Sequence, residues 1–148
     1  MRDKKGKIEI SPIEKLVPGF ADDPGIVLVY LFGSYAAGNE TALSDVDLAL
    51  LLAPDVLREK YIDYRINYFS LAAKTLHDDR IDVVILNAAT PLLGHEALKG
   101  RLLFERSPEA RVKYEVDVQR KYLDLKPFYA INTAYMRQRL KEGTFGRA

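Results

Sequence analysis

The stretch IVLVYLFGSYAAGNETALSDVDLALLL, from Ile26 to Leu52, constrains this chain more than any other. Ile26–Phe32 is a nearly unbroken β-branched and aromatic run, bounded by Pro24-Gly25 and by Gly33, and predicts a buried central strand. A second strand is expected over Val46–Leu52, ending before Pro54. Between them, Ser34 opens a first helical turn over 34–38, and Gly38-Asn39 marks a loop. Side chains alternate along a strand, so Asp45 and Asp47 share one face while Val46 and Leu48 enter the opposite layer. The chain therefore sets two carboxylates, one residue apart, at the mouth of an apolar strand.

The remaining elements follow from periodicity and punctuation. Ser11-Pro12 predicts an N-cap and a short helix over 12–17. Leu57, Tyr61, Tyr64, Tyr68 and Leu71 recur at helical spacing and predict an amphipathic helix over 56–76. A third strand is expected over 81–86, a short helix over Pro91–Leu98 and a short strand over Arg101–Glu105. Residues 108–140 predict a helix interrupted or kinked at Pro127. This alternation of helices and strands argues an α/β or α+β fold, a small mixed sheet flanked by helices. At 148 residues the chain is expected to be one domain, with a core over about 10–106 and a helical tail over about 107–142.

The carboxylates carry the chemistry. A third, Asp82, stands at a strand entrance in RIDVVIL, and converges with Asp45 and Asp47 if the second and third strands pair. Two bare carboxylates about 4 Å apart repel by roughly 4 kcal/mol at an effective dielectric of 20. Such a cluster needs a shared proton or a divalent cation. The chain has no cysteine and only two histidines, so the ligands are oxygens and Mg²⁺ is the expected ion. Two such ions clamping an in-line phosphoryl or nucleotidyl displacement is the known use of this arrangement. Gly33 lets the backbone approach a ligand, and Ser34 adds a hydroxyl beside free N–H groups suited to phosphate. Each half alone has a bland reading: Gly-Ser is a common loop dipeptide, and an Asp-x-Asp at a strand start is often merely solvated. Joined at fixed spacing, the four residues recur by chance in about three of a thousand chains of this length.

Gly-Ser, ten residues, then Asp-x-Asp resembles the motif of the minimal nucleotidyltransferases in the polymerase-β-like superfamily. The resemblance covers essentially the whole chain. Asp82 sits where that superfamily carries its third carboxylate, and the tail RKYLDLKPFYAINTAYMRQRLKEG is similar to that of the minimal nucleotidyltransferase antitoxins paired with HEPN-domain toxins. The resemblance implies the polymerase-β-like fold, with ATP and Mg²⁺ bound together. It implies that Asp45 and Asp47 ligate metal, that Asp82 completes the metal site and positions or deprotonates the acceptor hydroxyl, and that Gly33 and Ser34 bind nucleotide. AMP would pass from ATP to a tyrosine hydroxyl on the toxin, an RNase, disabling it. One departure stands out. Many members read Gly-Ser-Arg-Ala-Arg-Gly, whereas this loop reads Tyr35-Ala36-Ala37-Gly38. Arg65, Lys74 or Arg80 could substitute for the missing cations.

Two other functions compete: an antitoxin that works by occlusion alone, with a degenerate site, and a small-molecule nucleotidyltransferase acting on an antibiotic hydroxyl. The latter usually needs a further domain or a dimer to build its acceptor pocket. His77 and His95 lack metal-ligand spacing. Tyr61, Tyr64 and Tyr68, and more loosely Tyr122, Tyr129 and Tyr135, read first as packing and second as a partner surface. A formal net charge of +1 offers no global pull toward nucleic acid or anionic membrane, so direct nucleic-acid binding is not expected despite the basic tail. The polar start Met1-Arg2-Asp3-Lys4-Lys5 and the lack of a long apolar run lead us to expect a soluble, cytoplasmic protein.

Overall fold

In the computed structural model, residues 6–141 are described. Met1–Lys5 and Glu142, the far end of the expected tail, lie outside them. A four-stranded mixed sheet forms the centre, in the order β3-β2-β1-β4. The strands are β1 (Ile26–Phe32), β2 (Val46–Leu52), β3 (Ile81–Ile85) and β4 (Arg101–Glu105). β1 runs antiparallel to both β2 and β4, while β2 and β3 are parallel. The parallel pair needs a crossover, and α3 (Tyr61–Leu76) provides it.

Alternation along the strands divides the core into two layers. Val46, Leu48, Leu50, Ile81 and Val83 pack on one face with Phe20, Tyr68 and Ala72, under α1 (Val17–Asp22) and α3. Leu28, Tyr30, Phe32 and Ala49 pack on the other face with Ala97 of α4 (Pro91–Leu98) and Tyr114 of α5 (Pro108–Lys141). Tyr64 and Tyr68 both donate their hydroxyls to the Asp23 carboxylate, so this pair is packing, as expected. The Arg106 guanidinium fastens the end of α1 to the sheet by donating to the carbonyls of Phe20, Ala21, Asp23 and Ile26.

Several boundaries differ from expectation. Ser11 is not a cap: a 3-10 helix runs from Ser11 to Leu16 and leads into α1, with Ile10 at the N-cap and no side-chain capping bond. The second helix begins at Tyr61 rather than 56, after a 3-10 turn over Arg58–Lys60. Val56 packs on the core from the preceding loop, while Leu57 is exposed. Leu86 leaves β3 and opens another 3-10 turn. The interruption at Pro127 is absent: α5 is one helix with Pro127 in its interior. A proline removes one i→i−4 bond, and the turns on either side here remain helical. Among the described residues no helix is long and apolar enough to cross a membrane.

Candidate active site

The loop after β1 is shaped by two left-handed glycines. Gly33 has φ +75° and ψ −156°, and Gly38 has φ +77°. Between them Ser34–Ala37 makes a single helical turn, α2, as expected. At Gly33 the backbone runs against the Asp47 side chain so closely that an added Cβ would stand 2.2 Å from its Oδ2. Ser34 follows directly, and both residues line a cleft of about 340 Å³ with Ala36, Ala37, Asn39, Glu96, Lys99 and Gly100.

The carboxylates meet through sheet register. Asp47 pairs with Phe32 across β1 and β2, and with Asp82 across β2 and β3. Adjacent strands lie about 4.8 Å apart, so the two acids stand side by side near the starts of β2 and β3. Asp45 immediately precedes β2. Burial, then the charges of Asp82 and Asp45, push the Asp47 carboxyl up to about 6. Among the described residues, none of these three carboxylates takes a side-chain hydrogen bond or ion pair, although the Arg80 guanidinium lies near enough to attract Asp45. No three acidic or histidine side chains there converge tightly enough to enclose one ion alone. Mg²⁺ commonly takes one or two carboxylates and completes its shell with phosphate oxygens and water. The donor set is all oxygen and is short of positive charge, so the residues suit this ion.

The raised Asp47 carboxyl sets a pH dependence. A group whose pKa is higher folded than unfolded favours the folded state while protonated. That advantage is complete below the usual value near 4 and is lost as pH rises through about 6. At pH 7.5 the ionised Asp47 therefore opposes folding. Asp47→Asn is expected to stabilise the metal-free protein by about 1–2 kcal/mol at pH 7.5, after discounting for solvent at a half-exposed site. The gain should shrink toward zero at pH 4.5, and urea titrations at the two pH values measure it.

The three basic residues named as substitutes for the loop arginines do not line the Gly33–Ser34 cleft. Arg80 is committed to structure: its guanidinium binds the Asp78 carboxylate and the carbonyls of Ala42 and Gly6. It thereby pins the loop ahead of Asp45. Arg65 donates to the carbonyl of Val83 on the exposed edge of β3, and lines a different cleft of about 290 Å³ with Asp82, Ile62, Ile66 and Phe69. Lys74 lies in the last turn of α3. Tyr35 turns inward, and its hydroxyl accepts the Ile8 N–H at 2.7 Å. Lys99, not singled out from the sequence, does line the cleft; only its place next to a glycine hinted at it. His77 forms the left-handed C-cap of α3, and His95 stacks on Tyr122 with ring centroids 3.6 Å apart, so both histidines have structural places.

Residues 14–109 match the family model for polymerase beta nucleotidyltransferases. No curated protein matches the chain. Among solved structures, the chain is similar to a toxin–antitoxin crystallised with AMP-PNP, at 25% identity and a TM-score of 0.64, over 87% of this chain and 99% of that one. It is similar to a chain of the complex of tri-AMPylated Shewanella oneidensis HEPN toxin with its MNT antitoxin, at 25% identity and a TM-score of 0.60, over 84% and 92%. A mutant MntA–HpeT toxin–antitoxin gives 26% identity and a TM-score of 0.63, over 88% and 99%.

Proposed function

This chain belongs to the polymerase beta nucleotidyltransferase family, and we propose that it is an antitoxin that silences a HEPN-family toxin by transferring AMP from ATP to a toxin tyrosine. The observation that carries the reading is the meeting of Asp47 and Asp82 in register, with the Gly33 backbone against the Asp47 carboxylate. Similar structures include one with AMP-PNP and one with an AMPylated toxin, which supports nucleotide as substrate and toxin as acceptor.

Asp45 and Asp47, with Asp82 beside them, would hold Mg²⁺, whose charge would offset the negative charge that develops on the phosphates. The Gly33–Ser34 turn would receive the nucleotide's phosphates through backbone N–H groups and the Ser34 hydroxyl. The acceptor hydroxyl oxygen attacks the α-phosphorus, the bond to the α,β-bridging oxygen breaks, and pyrophosphate leaves. Asp82 faces the cleft lined by Ile62, Arg65, Ile66 and Phe69 and orients the acceptor hydroxyl or takes its proton.

The acceptor arrives on another protein. Among the described residues of α5 only Val118 is buried, whereas Phe128 and Ile131 are each 66% exposed, with Leu123 and Tyr135 exposed beside them. That surface suits a helical partner. A binding-only antitoxin is favoured by one observation, the inward turn of Tyr35 in a loop that carries no arginine.

Incubating the two proteins with ATP and Mg²⁺ and weighing the toxin decides between them. A gain of whole AMP units is expected; toxin neutralised with no gain in mass would establish occlusion instead. Asp82→Asn should lower turnover by about a hundredfold while changing MgATP affinity less than about threefold. Single-turnover kinetics separate the two quantities, and unimpaired turnover would remove Asp82 from the reaction.

A further inference from the structure

We propose that Lys99 binds the nucleotide's β- and γ-phosphates, supplying the positive charge that the Gly33–Ser34 loop lacks; the assignment rests on the nucleotidyl-transfer reading above. The place of Lys99 at the junction of α4 and β4 puts it there. It is the C-cap of α4, two residues before Arg101, which pairs with Leu31 at the end of the antiparallel β1–β4 ladder. Gly100 fixes the approach. An added Cβ there would stand 2.1 Å from the Leu31 carbonyl and 2.9 Å from the Phe32 Cα, so the backbone before β4 lies directly on the end of β1. The Gly33 loop therefore has the Asp47 carboxylate on one side and Lys99 on the other, and Lys99 lines the same cleft as Gly33 and Ser34.

The neighbouring cations are otherwise engaged. Arg80 is held by Asp78 and two carbonyls, and Arg101 pairs with Glu14. Lys99 pairs with Glu96 at 3.1 Å, both side chains being about half exposed. Such a pair is weak, so exchanging Glu96 for a phosphate costs little. An ammonium on a flexible stem also suits phosphate as a point charge, without the fixed fork of arginine. A polyphosphate lying across the loop would then meet metal-bearing carboxylates at its α-phosphate end and an ammonium at its far end. Glu96 lines the cleft too, and its charge opposes the same phosphates.

Calorimetric titration of the full chain with MgATP, and with AMP by competition, tests the assignment. Lys99→Ala should weaken MgATP binding about tenfold, equivalent to about 1.4 kcal/mol, and Lys99→Arg should restore most of it. Glu96→Gln should tighten MgATP binding about twofold or more, since it removes a repelling charge. AMP lacks the two outer phosphates, so its affinity should be the same for wild type and Lys99→Ala. Wild-type binding of MgATP with an unchanged constant in Lys99→Ala would overturn the Lys99 assignment alone. Equal weakening of AMP and MgATP would make Lys99 structural and also overturn it. A wild-type chain that binds no MgATP would overturn both this assignment and the nucleotidyl-transfer reading.

Discussion

Replacing Asp45 and Asp47 together with asparagine is expected to lower AMP transfer by about a thousandfold or more, a barrier increase of about 4 kcal/mol. Either carboxylate lost alone leaves part of the cation site; both lost leave only Asp82, on an exposed position of the edge strand. The fold should survive. Asp47 is raised to about 6 because its burial and its acidic neighbours oppose ionisation, and the double variant relieves that repulsion. The variant should therefore melt at or above the wild-type temperature at neutral pH while gaining nothing from Mg²⁺. The proposed toxin-binding surface on α5 is distant from these substitutions in the chain, so toxin binding should persist and co-purification with the toxin serves as the control. Inactive variant and intact complex together separate chemistry from occlusion. Transfer at the wild-type rate would show that these carboxylates are not the metal ligands.

Gly33→Ala should be nearly as damaging, for two separable reasons. The backbone at φ +75° and ψ −156° belongs to a region that side chains avoid, at a cost of about 1–3 kcal/mol. The new methyl would also fall on Asp47 Oδ2. A displacement of about 1 Å in a reacting site can cost about a hundredfold in rate, so transfer should fall at least that far. Gly38→Ala separates the causes. Its φ is +77°, and nothing lies within 4 Å of an added Cβ. It should lose about 1–2 kcal/mol of stability and keep most of its transfer activity. Chemical denaturation and toxin mass gain, measured on both variants, check the pair. Equal loss of activity in the two would assign the effect to backbone strain and not to the Asp47 carboxylate.

The contrast between these glycines shows where local reading ends. Gly33, Ser34, Asp45 and Asp47 were legible because their relation is local: one strand, one turn and the start of the next strand lie within a short stretch, and alternation along β2 assigns faces without knowledge of the fold. The mixed sheet flanked by helices followed likewise, from the alternation of strand-like and helical segments. Capping was less legible, since Ser11-Pro12 satisfies a local rule while the chain starts its helical turn one residue earlier in a 3-10 geometry.

What the sequence by itself determined was the loop, the two carboxylates at the start of one strand and the order of the elements, all set by side-chain periodicity and by residues that break it. Only tertiary structure decided that Asp82 stands beside Asp47, because a parallel β2–β3 register depends on how α3 carries the chain back across the sheet. It alone decided that Arg80 pins a loop, that Tyr35 turns inward, and that Lys99, at the end of α4, lines the Gly33 cleft. Each of these outcomes depends on contacts between residues remote in the chain. Residue type is the same before and after folding; what folding adds is which groups find a partner inside the molecule and which are left facing a ligand.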